Sequence, residues 1–210
     1  MSEIQIMKQM KIWILVCGIL AIVFYVLHDI VGALNYPGYK WMEQAVSDLT
    51  ATDAPSRTVA GGLTTIHGIF NCVCCAFIVV LVRNERKSFR IGVYLFALMH
   101  AVSAIGYSLF PLTGSGYDGS FRSFIHVYVV TVLVVFLAIS SLILIAVGSF
   151  KDKNKKLGIL AIIVLALMMT TPISFSVPKE IFGIIERLTV YSSVLFTGVL
   201  SVYFYRKNTE

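Results

Sequence analysis

Charge is scarce in this chain. Only 13% of its 210 residues are Asp, Glu, Lys or Arg, while 58% are hydrophobic. Soluble domains have about 25% charged and roughly 45–50% apolar residues, so this composition excludes an ordinary water-soluble fold. Polar stretches long enough to form a separate soluble domain are lacking. So are a nucleotide-binding loop of the form G-x-x-x-x-G-K-[ST], an H-E-x-x-H metalloprotease helix, and a G-x-x-x-G within an apolar segment. The four cysteines, Cys17, Cys72, Cys74 and Cys75, all fall in the inner halves of the first two apolar segments, a placement that argues against a secreted disulfide framework. Cys72 and Cys75 share a helix face, a spacing compatible with metal or redox chemistry and equally with small packing residues.

What the chain has instead is apolar blocks of about 20 residues, the length that crosses a hydrocarbon core of roughly 30 Å as a helix. Six spans are predicted, at about 12–34, 58–82, 91–110, 124–149, 157–177 and 183–205, in a single integral-membrane domain covering 1–210. Pro172 and Pro178 interrupt the outer end of the fifth. The fold class is thus an all-α polytopic transmembrane bundle of about six helices. The first apolar run is too long for a signal-peptide core and has no small-residue cleavage site after it, so span one is expected to stay as an anchor.

The basic residues set the expected orientation. Twelve Lys and Arg lie before span one, in the second and fourth connections and after span six, against five on the opposite side. The positive-inside rule then puts the N- and C-termini in the cytoplasm. Counting acids, the inner side carries +8 and the outer side −2. The net charge of +6 therefore serves topology and contact with anionic headgroups, and no nucleic-acid partner is expected.

The outer connections carry the sequence detail. In residues 35–57, Met42, Ala45, Val46 and Leu49 recur at helical spacing, predicting a short surface helix over "WMEQAVSDL". Tyr39 and Trp41 suit the interfacial belt. Asp53 or Ser56 would cap the second span.

All four histidines fall in the outer half of the membrane or near its midplane, on four different spans: His28, His67, His100 and His126. His67 lies about nine residues, roughly 13 Å, below the outer end of span two. Asp29, Glu186 and Arg187 sit at the outer ends of spans one and six. Thr64, His67 and Asn71 share one face of span two; His100, Ser103 and Tyr107 share one of span three; Glu186, Ser193, Thr197 and Ser201 line span six. Polar stripes on membrane helices face protein or water rather than lipid. The expected arrangement is an outward-opening polar cavity formed by His28, Asp29, Ser47, Asp48, His67, His100, Ser103, His126, Glu186 and Arg187. The competing expectation for each histidine is a hydrogen bond that fastens neighbouring helices. For Arg187 it is a structural ion pair with Asp29 or Asp48.

Three segments, "AVSDLTATDAPSR", "LFPLTGSGYDGSFRSFIH" and "IFGIIERL", make the chain resemble a bacterial membrane-protein family catalogued as domain of unknown function 998. The resemblance covers nearly the whole chain. It implies a small six-helix protein of the plasma membrane, and it maps family positions onto Ser47, Asp48 and Leu49, Phe110 and Pro111, His126, and Gly183, Glu186 and Arg187. It implies no activity.

Four functions remain open on the residues. One is a binder, transporter or sensor that takes a small-molecule or lipid-like ligand into the cavity. Another is an intramembrane lipid hydrolase using zinc on His67, His100 and His126, with Asp29, Asp48 or Glu186 as base. A third is haem ligation by His67 and His100. The last is a structural or accessory membrane protein. The weight of the sequence is against an enzyme.

Overall fold

The computed structural model describes residues 2–170 and 177–207. Every regular element among the described residues is helical. Helix α1 (Glu3–Leu34) opens on a capping box, with Ser2 and Gln5 satisfying each other's backbone N–H. It is followed by α2 (Arg57–Leu81), α3 (Lys87–Leu109), α4 (Phe121–Lys151), α5 (Lys155–Met168) and α6 (Lys179–Arg206). All but α5 are long and apolar enough to cross a membrane. The described part of α5 has 14 residues, and part of the outer end expected for the fifth span, with Pro172, lies outside the described residues. Five of the helices coincide with expected spans, and the described part of α5 covers the first portion of the fifth.

Consecutive helices pack side by side, and α6 returns against α1, so the helices close a ring. The half of the bundle nearer the basic connections is filled by one apolar cluster that includes Ile14, Ile78, Phe96, Leu142, Phe196 and Phe204. Large apolar side chains also cover the outside, such as Ile105, Leu109 and Phe136, all more than 60% exposed. A surface of this kind requires lipid. Cys17, Cys74 and Cys75 are buried in the inner core and all four cysteines are free thiols. Cys74 Sγ donates to the Ile14 carbonyl at 3.4 Å.

Charged side chains at one end tie together the segments with most of the basic residues. Arg86 pairs with Asp152 at 2.6 Å, Lys207 pairs with Glu85, and Lys11 donates to the Lys207 carbonyl. The connections 35–56 and 110–120 lie together at the opposite end. There the expected surface helix is a five-residue 3-10 helix, Val46–Thr50, preceded by turns. Val46 and Leu49 are buried, whereas Met42 is 53% exposed. Four residues at helical spacing were too few to hold an α-helix once Trp41 and Gln44 were drawn to other partners. Ser56 stands at the start of α2 but donates to the Leu49 carbonyl at 2.8 Å instead of capping.

Glycine sets the closest approach in the ring. A methyl group at Gly148 would lie 2.5–2.7 Å from Cβ, N and Cα of Phe89, so α3 and α4 touch backbone to backbone there. Gly148→Ala must push the helices apart. The expected cost is about 1–3 kcal/mol, measured as a lower melting temperature in detergent, whereas Gly61→Ala, with nothing within 4 Å, should leave it unchanged.

Candidate functional site

Arg187 is buried at 3% exposure and faces Asp29, at 2% exposure, across the α1–α6 contact. The pair is bidentate. Nε lies 2.9 Å from Oδ2, and Nη2 lies 2.9 Å from Oδ1. A guanidinium has five N–H donors, and each finds an acceptor. Nη2 also donates to Tyr39 Oη at 2.7 Å, and Nη1 donates to the carbonyls of Trp41, Gln44 and Gly183 at 2.8, 2.9 and 3.1 Å. The Trp41 ring covers the guanidinium at 4.3 Å. Asp29 Oδ2 further accepts from Tyr191 Oη at 3.0 Å and Trp41 Nε1 at 3.3 Å. The pair thus pins the first outer connection onto α1 and α6.

Gly183 makes this possible. Any Cβ there would meet the carbonyl oxygens of Gln44 and Trp41 at 2.4 and 2.5 Å, and its N–H donates to the Met42 carbonyl. The neighbouring Glu186 is half-buried, and its Oε2 accepts the Val46 N–H at 2.9 Å.

The histidines divide into two kinds. His28 on α1 donates through Nδ1 to the Ala60 carbonyl of α2 at 3.0 Å, and His67 on α2 donates to the Ala21 carbonyl of α1 at 2.8 Å. These reciprocal bonds lace the two helices together. His126 sits in a π-helical turn of α4, Ile125–Val130, and donates to the Phe110 carbonyl at 2.7 Å. Pro111 cannot continue α3, which leaves that carbonyl free for the ring. A carbonyl only accepts, so Nδ1 carries the proton in all three and Nε2 remains a bare acceptor. His100 differs. Asn71 Nδ2 donates to its Nδ1 at 2.7 Å, and its Nε2–H donates to Thr197 Oγ1 at 3.2 Å. The chain Asn71–His100–Thr197 joins α2, α3 and α6.

Asp48, 2% exposed, holds the two outer connections together. Ser115 Oγ donates to it at 2.5 Å and the Gly116 N–H at 3.3 Å. Burial pushes its carboxyl above the ordinary value of 3.8, against the lowering effect of these hydrogen bonds. Ser47 is half-buried and offers its carbonyl to Thr50. Ser103 is half-buried with no side-chain hydrogen bond among the described residues.

The residues expected to line a single cavity lie in several separate hydrogen-bonded groups: Arg187 with Asp29, the laced His28 and His67, His126 with the Phe110 carbonyl, the His100 chain, and Asp48 with the second loop. Tyr25 links the first two, its ring touching His28, His67 and Tyr191 at centroid distances of 5.6, 5.0 and 5.2 Å. The metal expectation is corrected. His67, His100 and His126 aim at different partners, and no group of three His, Cys, Asp or Glu among the described residues could hold a metal ion. Of the haem candidates, His100 has both ring nitrogens engaged, by Asn71 and Thr197. Tyr39, Trp41, Tyr191 and Gly183 were not among the expected site residues. Two of them carried a signal: Gly183 and Tyr191 stand four residues either side of Arg187, on its helix face.

The fold and its apolar exterior define an α-helical, multi-pass membrane protein. The model of the family described as Protein of unknown function (DUF998) matches residues 19–203, and the chain belongs to that family. No curated protein and no solved structure matches the chain.

Two predictions test these contacts. Breaking one partner of a buried ion pair typically costs about 3–5 kcal/mol. Arg187→Lys, which cannot reproduce the five-donor fork, should lower the melting temperature and, by loosening the connection that carries the exposed Lys40, speed tryptic cleavage there. For Asp48, the raised folded-state pKa means that its contribution to stability is complete below 3.8 and is lost as pH rises through the raised value. Acidification from pH 7 to 4 should raise the protection factor of the Gly116 amide, its exchange rate divided into the intrinsic rate at each pH, and Asp48→Asn should remove that rise.

Proposed function

We propose that this is a non-enzymatic protein of the bacterial plasma membrane, with both termini in the cytoplasm, that binds a small or lipid-like ligand in its outer half. The observation that carries this reading is the pattern of unused acceptors. Nε2 of His28, His67 and His126 and Oε1 of Glu186 have no partner among the described residues. None of them is among the sealed, unpaired polar atoms, which are Asn71 Oδ1 and the hydroxyls of Ser88, Ser141, Ser149 and Ser193. They are acceptors without a protein partner among the described residues. Arg187, next to Glu186 in the chain, is saturated and offers no free donor. A ligand that complements them supplies hydrogen-bond donors and no acid, as an amine does. His28 and His67 share Tyr25 as a common wall, whose ring face suits a cation.

A second reading, a structural or accessory protein, draws on the carbonyl bonds of the same histidines. They tie helices and need no ligand. The two are separated by melting curves of purified protein with putrescine or succinate. At one hundred times its dissociation constant a ligand adds about 2.7 kcal/mol. Ligand binding predicts a rise in melting temperature with the diamine only, lost in His67→Phe and Glu186→Gln. An equal response to both compounds, or a rise that survives both substitutions, leaves the accessory reading.

A further inference from the structure

At the opposite end of the molecule, α5 and α6 leave a trough between them. Its inner part, about 380 Å³, is lined by Lys156, Leu160, Val199, Val202 and Arg206. A second part, about 400 Å³, shares Leu160, Val199 and Val202 and continues to Ile19 of α1 and Leu195 of α6. The wall is overwhelmingly apolar along this length, and its charge is gathered at one end.

Those charges are not all alike. Lys207 also borders the trough, but Glu85 neutralises it and Tyr203 Oη accepts from it. Asp152 is held by Arg86. Lys156 and Arg206 are exposed and have no ion-pair partner among the described residues. Two cations with no ion-pair partner among the described residues therefore stand where the apolar trough ends. From Arg206 to Leu195 is about eleven residues of helix, or about 16 Å at 1.5 Å per residue. Half of a hydrocarbon core is about 15 Å. The trough is one leaflet deep.

We propose that this trough is a binding site for one anionic phospholipid of the inner leaflet. Its phosphate sits between Lys156 and Arg206, and one acyl chain lies over Leu160, Val199 and Val202. The length of the trough selects a lipid over a free phosphate, and the two cations select an anionic headgroup over a zwitterionic one. The leaflet follows from the orientation proposed above, whereas the site and its lipid class do not depend on it. Nor do they depend on the outer ligand, since no residue is shared.

Native mass spectrometry of the full chain in detergent tests this, with phosphatidylglycerol and phosphatidylcholine of matched chains titrated separately. The expected result is one retained phosphatidylglycerol, with at least fivefold weaker retention of phosphatidylcholine. Lys156→Ala with Arg206→Ala should reduce phosphatidylglycerol retention at least fivefold. Lys8→Ala with Lys151→Ala, on the same end but outside the trough, should not. Val202→Trp should weaken retention of both lipids by filling the acyl path, with an unchanged melting temperature showing that the fold is kept. Equal retention of the two lipids, an equal loss in the control variant, or full retention after the Lys156 and Arg206 changes would overturn the proposal.

Discussion

A charged guanidinium at membrane depth has no water to fall back on, and most of the outer half of this protein is arranged around that fact. Removing an ion from water costs several kcal/mol even after relaxation, and attraction to a partner offsets it only when every remaining donor is also satisfied. Arg187 needs a carboxylate, three carbonyls and a phenol to reach that condition. Those acceptors come from α1, α6 and the first outer connection. The geometry of the connection is therefore dictated by the valence of one side chain. Tyr39, Trp41 and the 3-10 turn after them occupy the positions that leave the carbonyls of Trp41 and Gln44 aimed inward.

The inner half follows a different rule. Its core is apolar, its backbones approach closely at Gly92 and Gly148, and its charges lie at the rim. Dispersion and shape hold it together, as expected where lipid removes the hydrophobic drive between helices. The outer half relies on hydrogen bonds that cross between helices: His28 and His67 between α1 and α2, and His126 between α4 and the end of α3. The two halves thus differ in what a substitution would do. A volume change is felt in the inner half, and a lost donor is felt in the outer.

The helices were legible in the sequence because the membrane imposes both length and composition. Apolar blocks bounded by Lys and Arg leave little choice of register: five of the expected spans are long helices, and α5 covers the first portion of the remaining one. The polar residues were legible as a set but not as partners. Helical phase places His67 and Asn71 on one face of α2, yet each turns to a different helix, and one-dimensional spacing carries no record of which carbonyl a ring will meet. The ion pair between Asp29 and Arg187 was open among several pairings. The choice depended on α6 returning beside α1, a tertiary fact. The short helix expected over "WMEQAVSDL" failed because periodicity ranks an isolated segment, while here the backbone carbonyls were claimed from outside it. The family match extends over almost the whole chain and agrees with the fold without adding chemistry.

The partners in the Arg187 clasp lie far apart along the chain: Asp29 is 158 residues from the arginine, and Trp41 is 146. During synthesis the first outer connection emerges long before α6 exists. Until the last helix is threaded into the bilayer beside the first, Asp29 stands without its cation and the carbonyls of Trp41 and Gln44 have no guanidinium to meet. The outer surface is consequently completed last and in one event. A chain that stalls before its final span would leave Asp29 without its cation and the folding of the first connection incomplete.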